Sequence, residues 1–321
     1  MPVVGFWISR SGTMGVSMNS SGELATERGV LEYERIENTI RITGYRGKDT
    51  VVEVPAIMDG CPVTCIGKKA FLSNKMVKQI SLPESILRIE DWAFAFCSKL
   101  SKILLPYHSM EIGQGIFKDC PALVQIIDEH GDEEDSRTED ISYLLAAVMS
   151  QLDAFYLFDF ENAGTAEWIF RWDVRMRQLM QTPDAEGFSK MLLCGEEDYG
   201  SRENNLDYYM EQRRKAKVRL AMLRLMHDHA LDISVRKELE AYLLDHIKGQ
   251  ETEETWLVVL EEHGDDLRYY QFLTGLGGVR EDNFQAMMED LGDRHTEMKA
   301  WLMNYYSKNH TKKDAFADFE L

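Results

Sequence analysis

Ile89-Glu90-Asp91-Trp92-Ala93-Phe94-Ala95-Phe96-Cys97-Ser98-Lys99-Leu100-Ser101-Lys102-Ile103-Leu104-Leu105-Pro106 decides the fold, because its apolar positions recur on both sides at a constant offset of 23 residues. Ile66, Ile89 and Ile112 open three units. Phe71, Phe94 and Phe117 follow, then Asn74, Cys97 and Cys120, then Val77, Leu100 and Leu123, and finally Ile80, Ile103 and Ile126. Two units continue through Leu82-Pro83 and Leu105-Pro106. A unit this short cannot bury so many apolar side chains alone, but stacked copies form one continuous core, so the repeat predicts a short solenoid.

Within each unit the columns at Ile80, Ile103, Ile126 and at Leu82, Leu105 alternate with other residues at period two, which is the strand signal. Prolines at 83 and 106 end the ladder. The phenylalanine column is expected to form an aromatic spine, and Cys97 and Cys120 to be small packing residues at the turn.

The units read I-G-x-x-A-F-x-x-C-x-x-L-x-x-I-x-L-P, which resembles the BspA-like class of bacterial leucine-rich repeats over about residues 50 to 127. Asn74 replaces the usual cysteine and Ile116 the usual alanine. The resemblance implies a binding protein, of a class whose members are commonly surface-exposed or secreted.

Working outward, Leu31 to Ile36, Thr39 to Ile42 and Val51 to Val54 are short β-rich runs separated by turn residues, so residues 1–62 are expected to form a β-hairpin N-terminal cap. Three 23-residue units then fill 63–128. Cys61-Pro62-Val63-Thr64-Cys65 has neither zinc-knuckle spacing nor a second pair, so it is read as structural. The acidic stretch 129–140, with Asp132-Glu133-Glu134-Asp135, reads as a solvated linker; the acid spacing of a calcium loop is missing.

From 141 to 321 helical periodicity prevails: Val218, Ala221, Met222, Leu225 and His229 share one face, with Arg213, Arg214, Lys217 and Arg224 elsewhere on the wheel. Glu238 to Asp245 echoes Glu297 to Asn304, and Trp256, Leu260, Glu261, Gly264 and Asp265 recur 28 residues later as Phe284, Met288, Glu289, Gly292 and Asp293. Helical hairpins resembling an ankyrin-like array are expected. The fold class is thus α+β and multidomain, a leucine-rich-repeat solenoid followed by an all-α helical-hairpin domain.

Of the 321 residues, 44% are hydrophobic and 28% charged, a globular composition rather than a disordered one. The first 128 residues carry 14 basic and 14 acidic side chains, so the net charge of −19 resides in the rest. A polyanion repels nucleic acid and acidic membranes, and no apolar run approaches the roughly 18 residues that span a bilayer. Met1 to Arg10 has no basic leader, and five cysteines without a secretion signal read as reduced thiols, so a cytoplasmic protein is expected. The basic run Arg213 to Arg219 is expected to pair with acidic neighbours rather than with nucleic acid, and the acidic half to prefer a basic protein partner.

No P-loop, dinucleotide fingerprint, HExxH or G-x-S-x-G element occurs, and no cofactor, metal or catalytic residue is assigned. His227 and His229 would sit nearly opposite on a helix and make poor paired ligands. If Ile80, Ile103 and Ile126 face inward, Gln79, Lys102 and Gln125 form one outward column, and Ser81, Leu104 and Ile127 another. Leu104 and Ile127 would then be neighbouring apolar residues, either a partner surface or a face covered by the helical domain. The expected function is protein recognition or scaffolding through the repeat surfaces. The alternative is a cysteine-dependent, ubiquitin-ligase-like transferase using Cys194, although Cys194-Gly195-Glu196 departs from the C-x-D of those effectors and acids beside a thiol oppose the thiolate. A structural role in a homo-oligomer is a third reading.

Overall fold

The computed structural model describes residues 20–128, 136–194 and 205–317. The chain divides into two compact units, Met1–Arg175 and Met176–Leu321.

In the first unit the constant offset of 23 becomes parallel strand register. β6 (Cys61–Ile66), β8 (Arg88–Ile89) and β10 (Glu111–Ile112) align Ile66, Ile89 and Ile112. β7 (Gln79–Ser81), β9 (Lys102–Leu105) and β11 (Gln125–Asp128) align Ile80, Ile103 and Ile126. These isoleucines are buried, Ile112 less fully than the rest. Phe94 lies between Phe71, at 5.3 Å between ring centroids, and Phe117, at 5.5 Å. The turns are laddered too, since Lys69 N donates to Asp91 O, and Trp92 N to Gln114 O. Each coil therefore satisfies its backbone through the next one, as a buried polar chain must.

The cysteine column has a specific job. Cys97 Sγ donates to Phe71 O and Cys120 Sγ to Phe94 O, each at 3.1 Å, so the thiol binds the carbonyl of the preceding coil. In the first unit Asn74 does different work: its Oδ1 accepts from Met76 N and Val77 N, each at 2.9 Å, closing its own turn.

The N-terminal region supplies hairpins and also an extra coil. β1 (Ser20–Ala25), β2 (Gly29–Ile36) and β3 (Thr39–Gly47) form an antiparallel meander. β3 then pairs parallel with β6, placing Ile42 beside Ile66, and β4 (Val51–Glu53) pairs with β7, placing Val52 beside Ile80. Tyr45 stacks on Phe71 at 5.7 Å and extends the aromatic spine. Cys61 and Cys65 lie on β6, and β5 (Ile57–Met58) pairs back onto it through the Asp59-Gly60 turn, where both residues have positive φ.

At the other end, α1 (Ser136–Ser150) packs against β11, and a single 3-10 turn, Phe155–Leu157, leads on to α2 (Ala166–Gln181). Phe158 meets Phe117 edge-on at 6.1 Å, Trp172 Nε1 donates to Leu144 O at 3.0 Å, and Trp168 Nε1 to Leu157 O at 2.8 Å. The first unit therefore runs past the expected linker to Arg175, within α2. The reason is physical: the last coil would otherwise expose Phe117 and Leu123, and Leu144, Leu145, Val148 and Trp172 are all buried in covering that end. Residues 129–135 lie outside the described set.

The second unit contains α3 (Phe188–Cys194), α4 (Leu206–Met226), α5 (Ile233–Asp245), α6 (Glu254–Glu262), α7 (Leu267–Gly275), α8 (Glu281–Leu291) and α9 (Thr296–Ala317). α4 packs on both α5 and α6, and α9 on α7 and α8. The echoed sequences occupy matching places, with Trp256 on α6 and Phe284 on α8, and Gly264 and Gly292 in the turns that follow. Gly264 is required by space: a Cβ there would lie 2.7 Å from Leu260 O and 2.4 Å from His295 Cε1. Val218, Ala221, Met222 and Leu225 are buried as their spacing predicts.

His229 departs from the expected helical face, because α4 ends at Met226. Arg224, expected on the outer wheel, is fully buried; its Nη1 donates to His227 O at 2.7 Å and its Nη2 to His229 O at 3.1 Å. The guanidinium caps the helix end and folds the histidine segment back as a loop.

Truncating the ring at the centre of the stack tests whether stacking dominates stability. Phe94→Ala is expected to lower the unfolding free energy by about 3–5 kcal/mol, whereas Phe96→Ala, on the exposed side of the same turn, should cost less than about 1 kcal/mol. Urea denaturation followed by circular dichroism decides, and equal losses would refute the stacked core.

Candidate functional site

The four-stranded parallel sheet runs in the order β11-β9-β7-β4. Its strands are short, and side chains alternate, so in each an inward residue is flanked by two outward ones, and in β9 Leu105 turns inward as well. Register sets the outward columns as Val51, Gln79, Lys102, Gln125 and as Glu53, Ser81, Leu104, Ile127. Between them Val52, Ile80, Ile103 and Ile126 are buried. Leu104 and Ile127 are directly paired neighbours on β9 and β11, both half-buried. Gln79, Ser81, Lys102 and Gln125 are half-buried as well, whereas Val51, which the 23-residue period does not reach, is 49% exposed.

The β11 edge is shouldered by α1, with Gln125 Nε2 3.5 Å from the buried Ser142 Oγ. Tyr107 closes the far end of that strand: its hydroxyl donates to Ile126 O at 2.6 Å, and burial, with Asp128 adding to it, pushes its pKa up. The sheet is thus held rigid at one margin while its two outward columns stay accessible in part, the arrangement that lets a fixed scaffold present variable side chains.

The second sheet of this unit offers less. Arg41, Cys65, Arg88 and Glu111 align across it, and Arg41 pairs with Glu34 at 2.8 Å and with Glu90, while Arg88 pairs with Glu111 at 2.6 Å. Its charges answer one another, and exposed pairs of this kind contribute only about 0–1 kcal/mol each.

A ridge that the sequence columns do not flag lies along the turns. Trp92 and Phe96 stack at 6.4 Å with rings 8° apart, and Lys118 sits 5.4 Å over Trp92. Phe96, Phe117, Met149 and Phe155 line an adjoining open cleft of about 1020 Å³. The available signal is positional: where the middle unit has Trp92 and Phe96, its neighbours have Lys69 and Gly115, Ser73 and Asp119.

In the second unit the basic run pairs with acids, as expected. Arg214 bonds Glu254 at 2.6 Å, Lys215 bonds Glu261 at 2.7 Å, Lys217 bonds Asp184 at 2.7 Å and Arg219 bonds Glu262 at 2.6 Å. Among the described residues no cluster of three or more His, Cys, Asp or Glu is arranged to hold a metal ion, and no helix is long and apolar enough to cross a membrane. Cys61, Cys65, Cys97 and Cys120 are free thiols. The neighbouring Cys120 thiol, together with burial, pushes the Cys97 thiol up. The Cys194 side chain and residues 195–204 lie outside the described set.

Residues 60–131 match the family described as BspA type Leucine rich repeat region, in 6 copies. Among solved structures, a T. pallidum leucine rich repeat protein is 35% identical, over 30% of this chain and 46% of that one, with a TM-score of 0.29. The chain thus spans under half of that protein's length. A leucine-rich repeat protein from Bacteroides capillosus is 28% identical, over 35% of this chain and 87% of that one, with a TM-score of 0.29. A leucine rich cell surface protein from Faecalibacterium prausnitzii is 25% identical, over 34% of this chain and 30% of that one, with a TM-score of 0.27. No curated protein matches.

Cys65 gives a chemical check on this unit. Burial and the neighbouring Glu90 carboxylate, 3.7 Å from Sγ, push its thiol up to about 11. Alkylation needs the thiolate, so at pH 8 the native protein should label at Cys65 about two orders of magnitude more slowly than free cysteine, with the rate rising up to about pH 11. Peptide mapping after timed iodoacetamide exposure measures this; labelling at the free-cysteine rate would contradict the packing described.

Proposed function

We propose that this protein is a non-enzymatic recognition module that binds a protein partner through the outward face of its four-stranded repeat sheet, acting as a scaffold in the bacterial cytoplasm. The observation that carries the reading is the pairing of Leu104 with Ile127 across β9 and β11, two apolar side chains left half-buried beside columns of polar residues. Such a patch stabilises a complex by removing apolar area from water, while Gln79, Ser81, Lys102 and Gln125 supply hydrogen-bonding groups that select the partner. The match of residues 60–131 to a leucine-rich-repeat family supports a repeat surface used for binding. The four free thiols support a reducing compartment.

The test uses the full chain as bait in host lysate, beside a Leu104→Glu, Ile127→Glu variant whose fold is verified by thermal melting. Both positions are half-buried and outward, so the variant should keep its melting temperature within a few degrees. A partner held by the native chain should then be lost by at least tenfold from the variant, since two carboxylates would have to be desolvated against an apolar surface. Equal recovery on both baits would overturn the assignment to this face.

A further inference from the structure

The cysteine column holds chemistry that packing alone does not use. Cys97 and Cys120 occupy the same place in adjacent coils, and Asn74 fills that place in the coil before, so the column contains one thiol pair. The turns that carry the two thiols are bonded to each other: Phe94 N donates to Ile116 O at 3.0 Å, and Phe96 N to Lys118 O at 2.7 Å. Backbones bonded in this way run about 4.8 Å apart, and a disulfide spans Cα atoms roughly 4.4 to 6.8 Å apart.

The side chains are nearly placed for it. Cys120 Sγ, 3.1 Å from Phe94 O, already leans onto the coil of Cys97, whereas Cys97 Sγ leans the other way, 3.1 Å from Phe71 O. Rotation of Cys97 about its Cα–Cβ bond turns its sulfur toward Cys120. A thiol is a weak donor, and Phe71 O keeps the amide of Asn74 at 3.2 Å when the thiol leaves, so little is lost. Each thiol also sets the ionisation of the other: Cys120, with burial, pushes Cys97 up, and Cys97 draws Cys120 down against its own burial. Cys61 and Cys65, by contrast, are four residues apart on β6, roughly 13 Å along an extended strand and beyond disulfide reach.

Access distinguishes the two sulfurs. Cys97 is 1% exposed and Cys120 5%, but Cys120 belongs to the last coil and helps line the open cleft bounded by Phe96, Met149 and Phe155. Cys97 lies one coil further in and does not reach that cleft. An oxidant about the size of water can approach Cys120 first, where a bulky one is excluded.

We propose that Cys97 and Cys120 are a peroxide-sensitive pair that closes into a disulfide joining the last two coils. The Cys120 thiolate attacks one oxygen of hydrogen peroxide, the O–O bond breaks, a sulfenic acid forms, and the departing hydroxide takes up the thiol proton as water. Cys97 sulfur then attacks Cys120 sulfur, the S–O bond breaks, and the hydroxyl leaves with the Cys97 proton as a second water. The two thiols give up two electrons and one peroxide becomes two waters; a dithiol reductant reverses the step by exchange. The staple fastens the one coil that has a repeat neighbour on a single side. Nothing in this proposal depends on what the repeat sheet binds.

The experiment treats the reduced full chain, freed of reductant, with dilute hydrogen peroxide under native conditions, then blocks remaining thiols in denaturant and maps non-reduced peptides by mass spectrometry. A Cys97–Cys120 linked peptide is expected, with both thiols lost in parallel and at least tenfold faster than that of Cys61, and dithiothreitol should restore them. In Cys97→Ser, dimedone should trap a sulfenic acid at Cys120, while in Cys120→Ser the Cys97 thiol should stay reduced. If either serine variant does not fold, the native chain's own map decides, because linkage and its reversal need no substitution. Absence of the linked peptide from the folded chain, linkage found only in urea, or Cys97 joined as often to another cysteine would each overturn the proposal.

Discussion

Each coil of the solenoid can bury its inward residues only against the next coil. That one constraint accounts for both the regularity of the middle of the first unit and the irregularity of its ends. In the middle, Ile80, Ile103 and Ile126 stack in register and the turn amides bond to the next coil, so a single constant offset of 23 satisfies sterics and hydrogen bonding together. At the ends no further copy exists, and different structures complete the same core. The ring column shows this: Tyr45 from the β-meander and Phe158 from the helical segment close a stack whose interior is Phe71, Phe94 and Phe117. The caps are continuous with the core and set its length.

This also explains which parts were legible in the sequence. The columns of the outward face follow from arithmetic once the period is known, because parallel pairing preserves the offset. Val51 and Tyr45 escape that arithmetic, since they lie 28 and 26 residues before the residues they adjoin, Gln79 and Phe71. β1 escapes for another reason: Ser20–Ala25 is almost wholly exposed and polar, so its strand is held by backbone pairing to β2 rather than by any pattern of its own. The end of α4 was illegible because periodicity sees side-chain faces, while the helix stops where a buried guanidinium, that of Arg224, captures the His227 and His229 carbonyls. The Trp92 and Phe96 ridge depends on backbone conformation and is not written in residue spacing.

The charge asymmetry of the chain takes on structural meaning in the helical unit. Arg214, Lys215 and Lys217 of its basic run are held by carboxylates from α6 and the segment before α3, partly buried pairs in which losing either member would strand the other. Such pairs add little net stability over apolar packing, but they fix which helix faces which, because a rotated α4 would leave Lys217 and Arg214 buried without counter-charges.

The repeat turns show how an invariant interior coexists with variable outsides. Lys69, Trp92 and Gly115 all have positive φ at equivalent positions, as do Ser73, Phe96 and Asp119. Only one of the six is glycine, so the left-handed backbone is imposed by stacking and not by local preference. For an aromatic residue that conformation costs about 1–2 kcal/mol. The bonds from Trp92 N to Gln114 O and from Phe96 N to Lys118 O, repeated from coil to coil, offset it. Since the inter-coil bonds fix the backbone whatever side chain it carries, the outward positions of each turn are free to diverge. The middle unit uses that freedom to set two stacked rings on its surface without disturbing Ala93, Phe94 or Cys97 one step inside.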